Sequence, residues 1–257
     1  MTKLEGLSQA ELDKKASTDF TVSATKLRPR DAATLIVIDR SGSKPRILMG
    51  QRASRHAFMP GKFVFPGGRT DPTDARVSVA SHLDPHVETS VIGHRRNVTT
   101  ARARAIAMSA IRETYEEAGL LIGRRKAFQT SHKEWQGFCE NDVQPSLSGL
   151  RYIARAITPP GRVRRYDTRF LAAWRDDVAV ELPEGPTLEL EQLSWLTFDE
   201  AKQTDLPNIT LNILNDLEVR LRNDPELSPD AATPFYRMLH NRYLRELTTP
   251  QPSQKGD

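Results

Sequence analysis

One cysteine, Cys139, stands in 257 residues. A chain with a single thiol forms no intrachain disulfide and suits a reducing compartment, so a cytoplasmic location is expected and Cys139 is read as a structural thiol. Also missing is any run near the roughly 18 apolar residues of a membrane span. The polar opening Met1 to Lys15 lacks the apolar centre of a secretory signal, and Gln254-Lys255-Gly256-Asp257 is not a peroxisomal tripeptide. The histidines are scattered without the spacing of a zinc site, no Ser-His-Asp or cysteine-nucleophile pattern is found, and there is no internal repeat. The charge excess is small, +4 with a pI near 9.3. No basic platform interleaved with aromatics is present, so a nucleic-acid partner is disfavoured.

What is present suits one sizeable core: 38% hydrophobic and 27% charged residues. The expected plan is a flexible segment over 1–30, one catalytic domain over 31–247 and a tail over 248–257. Apolar runs at Thr34 to Ile38, Arg46 to Met49, Phe63 to Phe65, Tyr152 to Ile157, Phe170 to Trp174 and Leu193 to Leu196 read as strands. Helices are expected over Arg102 to Ala118, Lys133 to Cys139 and from Phe198. Two more, Thr210 to Leu221 and Pro234 to Leu247, are expected to be joined by the turn-rich Asn223 to Thr233. These would cover the sheet or form the contact of a homodimer.

The densest chemical signal is Arg112-Glu113-Thr114-Tyr115-Glu116-Glu117-Ala118-Gly119-Leu120. Positions i, i+3 and i+4 share one side of a helix, so Glu113, Glu116 and Glu117 converge, and Gly119 suits the left-handed position past the helix end. Clustered carboxylates repel unless a positive charge sits among them, and oxygen-only donors suit hard cations such as Mg²⁺ or Mn²⁺. Upstream, Phe63 to Phe65 breaks into Pro66-Gly67-Gly68, where glycines let the backbone come close to a ligand. Downstream, Arg162, Arg164, Arg165 and Arg169 follow the Pro159-Pro160-Gly161 turn. Guanidinium forks match phosphate oxygens, so Arg164 and Arg165 are read as a phosphate clamp, with a solvated edge as the plainer alternative.

These segments resemble the box of the Nudix hydrolases, G-x5-E-x7-R-E-U-x-E-E-x-G-U, with Gly68 opening it and Arg112 to Leu120 closing it. The resemblance implies an α+β fold, a Nudix-type α/β/α sandwich with a mixed sheet, an insertion within the box at about 69–100, and extra C-terminal helices at about 209–247. Thr114 stands where the box has an apolar residue. Counted back from Arg112, the remaining box glutamate falls on Arg104, and Glu88 inside the insertion is a candidate replacement for its role of bracing Arg112.

Leu48 to Gly68, with Arg52, Arg55 and all of Gly61 to Gly68, is similar to the coenzyme A diphosphatase branch. So are Phe58-Met59-Pro60-Gly61 and Thr158-Pro159 followed by Arg164 to Thr168. The resemblance implies Glu113, Glu116, Glu117 and the Gly67 carbonyl as ligands of Mg²⁺ or Mn²⁺, Arg112 as their brace, and Arg52 and Arg55 at the substrate. The general base would be a box glutamate or one of Glu181, Glu184, Glu189 and Glu191.

The function expected is hydrolysis of coenzyme A or its acyl esters to 3′,5′-ADP and 4′-phosphopantetheine products. Alternatives are an ADP-ribose or NADH diphosphatase and a non-catalytic nucleotide- or RNA-binding protein of the same fold.

Overall fold

The computed structural model describes residues 5–8, 10–12, 27–53, 60–93 and 99–250. At its centre lies β1 (Arg30–Asp39), which is apolar on both faces because it is covered on both: Ala33, Leu35 and Val37 enter one core, Ile36 and Ile38 the other. β1 runs parallel to β8 (Tyr166–Trp174) and antiparallel to β2 (Arg46–Arg52). Beyond β8 stands β7 (Arg151–Ile157), and β10 (Leu190–Thr197) pairs with the far side of β2. Short β3 (Phe63–Val64) pairs with β2, and β4 (Gly67–Arg69) pairs with β1.

One face of this mixed sheet is covered by α1 (Pro85–Ile92) and α2 (Thr100–Ala118). A small antiparallel sheet of β5 (Leu120–Arg125), β6 (Val143–Pro145) and β9 (Val178–Glu181) adds to that layer, with α3 (Gln136–Glu140) beside it. The other face is covered by α4 (Phe198–Gln203) and α5 (Asn208–Asn223). Leu7 and Leu12 rest against this second core. No described helix is long and apolar enough to cross a membrane.

α2 begins where the Thr99 hydroxyl accepts from the Arg102 N–H at 3.2 Å, and ends at Gly119 with φ of 69°. The small sheet was not foreseen, its strands being short and without alternation.

One expectation is corrected. Pro234 to Leu247 is not a helix but a hairpin, β11 (Thr233–Leu239) and β12 (Arg242–Thr248), with β11 parallel to β7. Its Leu, Met, Arg and Glu are good helix formers. The free edge of β7 overrides that propensity, and His240 and Asn241, at φ of 47° and 59°, make the tight turn. Tyr236 and Tyr243 are buried in the second core, and both the Tyr236 hydroxyl and Arg245 bond Asp216 of α5.

The described part of the insertion packs into the core. Val77, Leu83, Val87 and Val91 are buried in the first core, and Arg169 of β8 donates to the Val91 carbonyl at the end of α1.

Candidate functional site

The last turns of α2 run beneath β4, and the glycines are what allow the approach. A side chain at Gly67 would meet the Ala33 carbonyl 2.6 Å away, and one at Gly68 would overlap the Glu113 carboxylate. The Gly67 N–H donates to Glu117 Oε2 at 2.8 Å. Arg112 Nη1 donates to Glu113 Oε1 at 2.8 Å and to Glu116 Oε2 at 2.9 Å, while its Nη2 donates to the Arg69 carbonyl at 3.2 Å. One guanidinium therefore holds two of the carboxylates and ties the helix to the strand above it.

Burial dominates the electrostatics of the three glutamates. Burial raises the pKa of Glu113 despite the Arg112 charge beside it. Burial likewise pushes Glu116 up to about 7 and Glu117 up to about 8, each also facing Glu113. Glu117 Oε1 is buried without a hydrogen-bond partner. An oxygen-only donor set with one orphaned buried oxygen suits a hard divalent cation. Among the described residues, however, no group of three His, Cys, Asp or Glu side chains is arranged to hold a metal ion. Arg112 draws Glu113 and Glu116 to itself, and the Gly67 N–H draws Glu117.

The brace of Arg112 is neither Glu88, which lies on α1, nor Arg104, whose Nη2 donates to the Val77 carbonyl. It is Asp74, 3% exposed, whose carboxylate oxygens accept from Arg112 Nε at 3.2 and 3.3 Å while Trp135 Nε1 donates to it at 3.1 Å. Burial raises the Asp74 pKa against the pull of Arg112. Counting forward from Gly68 reveals it, since after five intervening residues comes an acidic side chain.

Beside the glutamates opens a cavity of about 320 Å³, lined by Arg52, Gly67, Gly68, Glu113, Arg164 and Glu189. Ala32, Thr34, Tyr166 and Thr168 complete the wall on the β1 and β8 side, and Arg69 lies at the edge. Arg52 stands 3.9 Å from Glu189. Of the four glutamates named for the base, only Glu189 lines the cavity; Glu181 is paired with Arg175 at 3.0 Å. The β10–β2 register positions Glu189, whose carbonyl accepts from the Ala53 N–H at 3.0 Å, and no local pattern marks it.

Arg165 is not brought to the cavity. Its guanidinium donates to the Leu27 and Thr158 carbonyls at 2.6 and 3.0 Å. Arg162 and Arg169 are buried, and Arg169 pairs with Asp31 and Asp167 at 3.1 and 3.0 Å. Arg55, Phe58, Met59, Arg95 and Arg96 lie outside the described residues.

No protein-family model matches the chain. Among solved structures, a Nudix hydrolase from Alicyclobacillus acidocaldarius superposes with a TM-score of 0.56 at 24% identity, covering 77% of this chain and 97% of that one. The chain has the Nudix fold. In sequence it is 25% identical over 181 residues to nudix hydrolase 7 of Caenorhabditis elegans, spanning 65% of this chain and 51% of that protein. It is 37% identical over 70 residues to an uncharacterised Nudix hydrolase, NudL, of an Enterobacter strain, spanning 27% of this chain and 36% of that protein. The aligned regions thus span about half and about a third of these curated relatives. Gly68 and Asp74 stand before the core-packed part of the insertion, and Arg112 stands after it.

Proposed function

We propose that this Nudix-fold chain is a divalent-cation-dependent hydrolase of a nucleoside diphosphate derivative, with coenzyme A or its acyl esters the favoured substrate. One observation carries the reading: Glu113 and Glu117, with raised pKa values and an orphaned oxygen on Glu117, meet Gly68 and Gly67, Arg112 holds Glu116 beside them, and the cavity that Glu113 lines also presents Arg52 and Arg164.

Mg²⁺ or Mn²⁺ held by the three glutamates, with the Gly67 carbonyl as a further donor, would neutralise the diphosphate and acidify an attacking water. Arg112, braced by Asp74, keeps Glu113 and Glu116 in place. Arg52 and Arg164 attract phosphate oxygens into the cavity, and Glu189 takes the proton of the water as its oxygen bonds to phosphorus and the bridging P–O bond breaks. The products from coenzyme A are 3′,5′-ADP and 4′-phosphopantetheine. A reducing, cytoplasmic setting fits Cys139, which is half-buried and free.

The test is product release from coenzyme A, acetyl-coenzyme A, ADP-ribose and NADH with Mg²⁺ or Mn²⁺, beside a Glu116→Gln protein. Cation-dependent turnover of the coenzyme A compounds, lost in the variant, is expected. Turnover of ADP-ribose or NADH alone discards the substrate, and none from a folded, cation-binding protein discards the hydrolase.

A further inference from the structure

We propose a second anion seat in the cavity, above Ala32, formed by Arg69, Thr168 and Arg164, which takes a phosphate monoester separate from the diphosphate under attack. It deepens the proposed function, and rests on it for the placement of the diphosphate.

The seat follows from strand register. β1 lies between β4 and β8, and Ala32 is paired with Arg69 on one side and Thr168 on the other. Paired residues share a face of the sheet, so the three form a row across the cavity wall, and all three line it. At roughly 4.8 Å per strand, the Arg69 and Thr168 backbones stand about 10 Å apart. Ala32 contributes only a methyl between them, leaving the middle of the row open. Arg164 reaches the same cavity from the turn that leads into β8.

The charges point the same way. Arg112 is occupied by Asp74, Glu113 and Glu116, and Arg52 faces Glu117 and Glu189. Arg69 and Arg164 carry no side-chain hydrogen bond or ion pair among the described residues, although both line the cavity. The carboxylate side of the cavity requires cations before it accepts a diphosphate. The Ala32 side instead offers the guanidinium of Arg164, that of Arg69, whose charge is shared with Asp71 but not held in an ion pair, and a hydroxyl donor, which match a monoester dianion. A nucleotide bearing both a diphosphate and a separate monoester satisfies both sides, whereas one without the monoester leaves the second seat empty.

The experiment is calorimetric binding of 3′,5′-ADP and 5′-AMP to the wild type, Arg69→Ala, Arg164→Ala, Ala32→Leu and Glu116→Gln, with circular dichroism to confirm folding. The wild type is expected to prefer 3′,5′-ADP by about tenfold or more, and either arginine substitution to cut the preference to about threefold or less. Ala32→Leu fills the seat and is expected to do the same; the arginine variants, at exposed positions, decide the matter if it fails to fold. A wild-type ratio near one, no binding of either nucleotide, or a ratio that survives both arginine substitutions overturns the seat. Glu116→Gln is expected to keep the ratio while losing hydrolysis. A wild type that shows the ratio but hydrolyses nothing discards the hydrolase and keeps the seat; hydrolysis with a ratio near one does the reverse.

Discussion

Asp74 is held by two partners, Arg112 and Trp135, and is nearly inaccessible to solvent. Its removal would strand a buried guanidinium and an indole N–H, and would free Arg112 to swing with the glutamates it holds. Asp74→Ala is expected to lower kcat about 10- to 100-fold, as loss of a ligand-orienting partner does, and to lower the melting temperature. Asp74→Glu should recover part of both. An unchanged kcat in the alanine variant would mean that Arg112 needs no brace.

The two glycines separate stability from activity. Gly67→Ala drives a methyl into the backbone at Ala33, which cannot yield, whereas Gly68→Ala meets only the movable end of Glu113. Gly67→Ala is therefore expected to destabilise the fold, and Gly68→Ala to melt near the wild-type temperature while losing activity. Equal melting temperatures for the two, read by calorimetry, would count against this account.

At the scale of the element, the insertion adds a layer to the core. Its Val77, Leu83, Val87 and Val91 are buried, and each such side chain contributes about 1.5–3 kcal/mol against a usual total stability of about 5–15 kcal/mol. Deleting 77–93 is thus expected to abolish the cooperative thermal transition. A deletion variant that melts like the wild type and differs only in KM would mean that the segment serves substrate binding and not the core.

For the whole molecule, buried carboxylates gathered at the end of α2 are a stability cost that a bound cation would relieve. Glu117 carries a pKa raised from an ordinary 4.5 to about 8. Its stabilising contribution is fully present below about 4.5 and is lost as the pH rises through about 8, where burial of the ionised form opposes folding. Without divalent ions the melting temperature is expected to fall between pH 6 and pH 9. Glu117→Gln should flatten that fall and abolish hydrolysis. Mg²⁺ or Mn²⁺ should raise the melting temperature of the wild type by mass action and leave Glu117→Gln nearly unchanged. Equal shifts in both proteins would place the cation elsewhere.

The carboxylate helix was legible in the sequence because its information is local. The spacing of Glu113, Glu116 and Glu117 and the left-handed Gly119 act within a few residues of one another. Most strands of the main sheet were legible too, from apolar runs bounded by turn residues. Tertiary structure alone decided the rest, because it depends on which surfaces meet. Residues 38 positions apart bring Asp74 to Arg112, and the free edge of β7 turns helix-forming residues into a hairpin. Strand register carries Glu189 and Arg69 to the cavity, while the carbonyls of Leu27 and Thr158 hold Arg165 away from it. An arginine that binds phosphate and one that ties down a loop share the same chemistry, and only the neighbours supplied by the fold distinguish them.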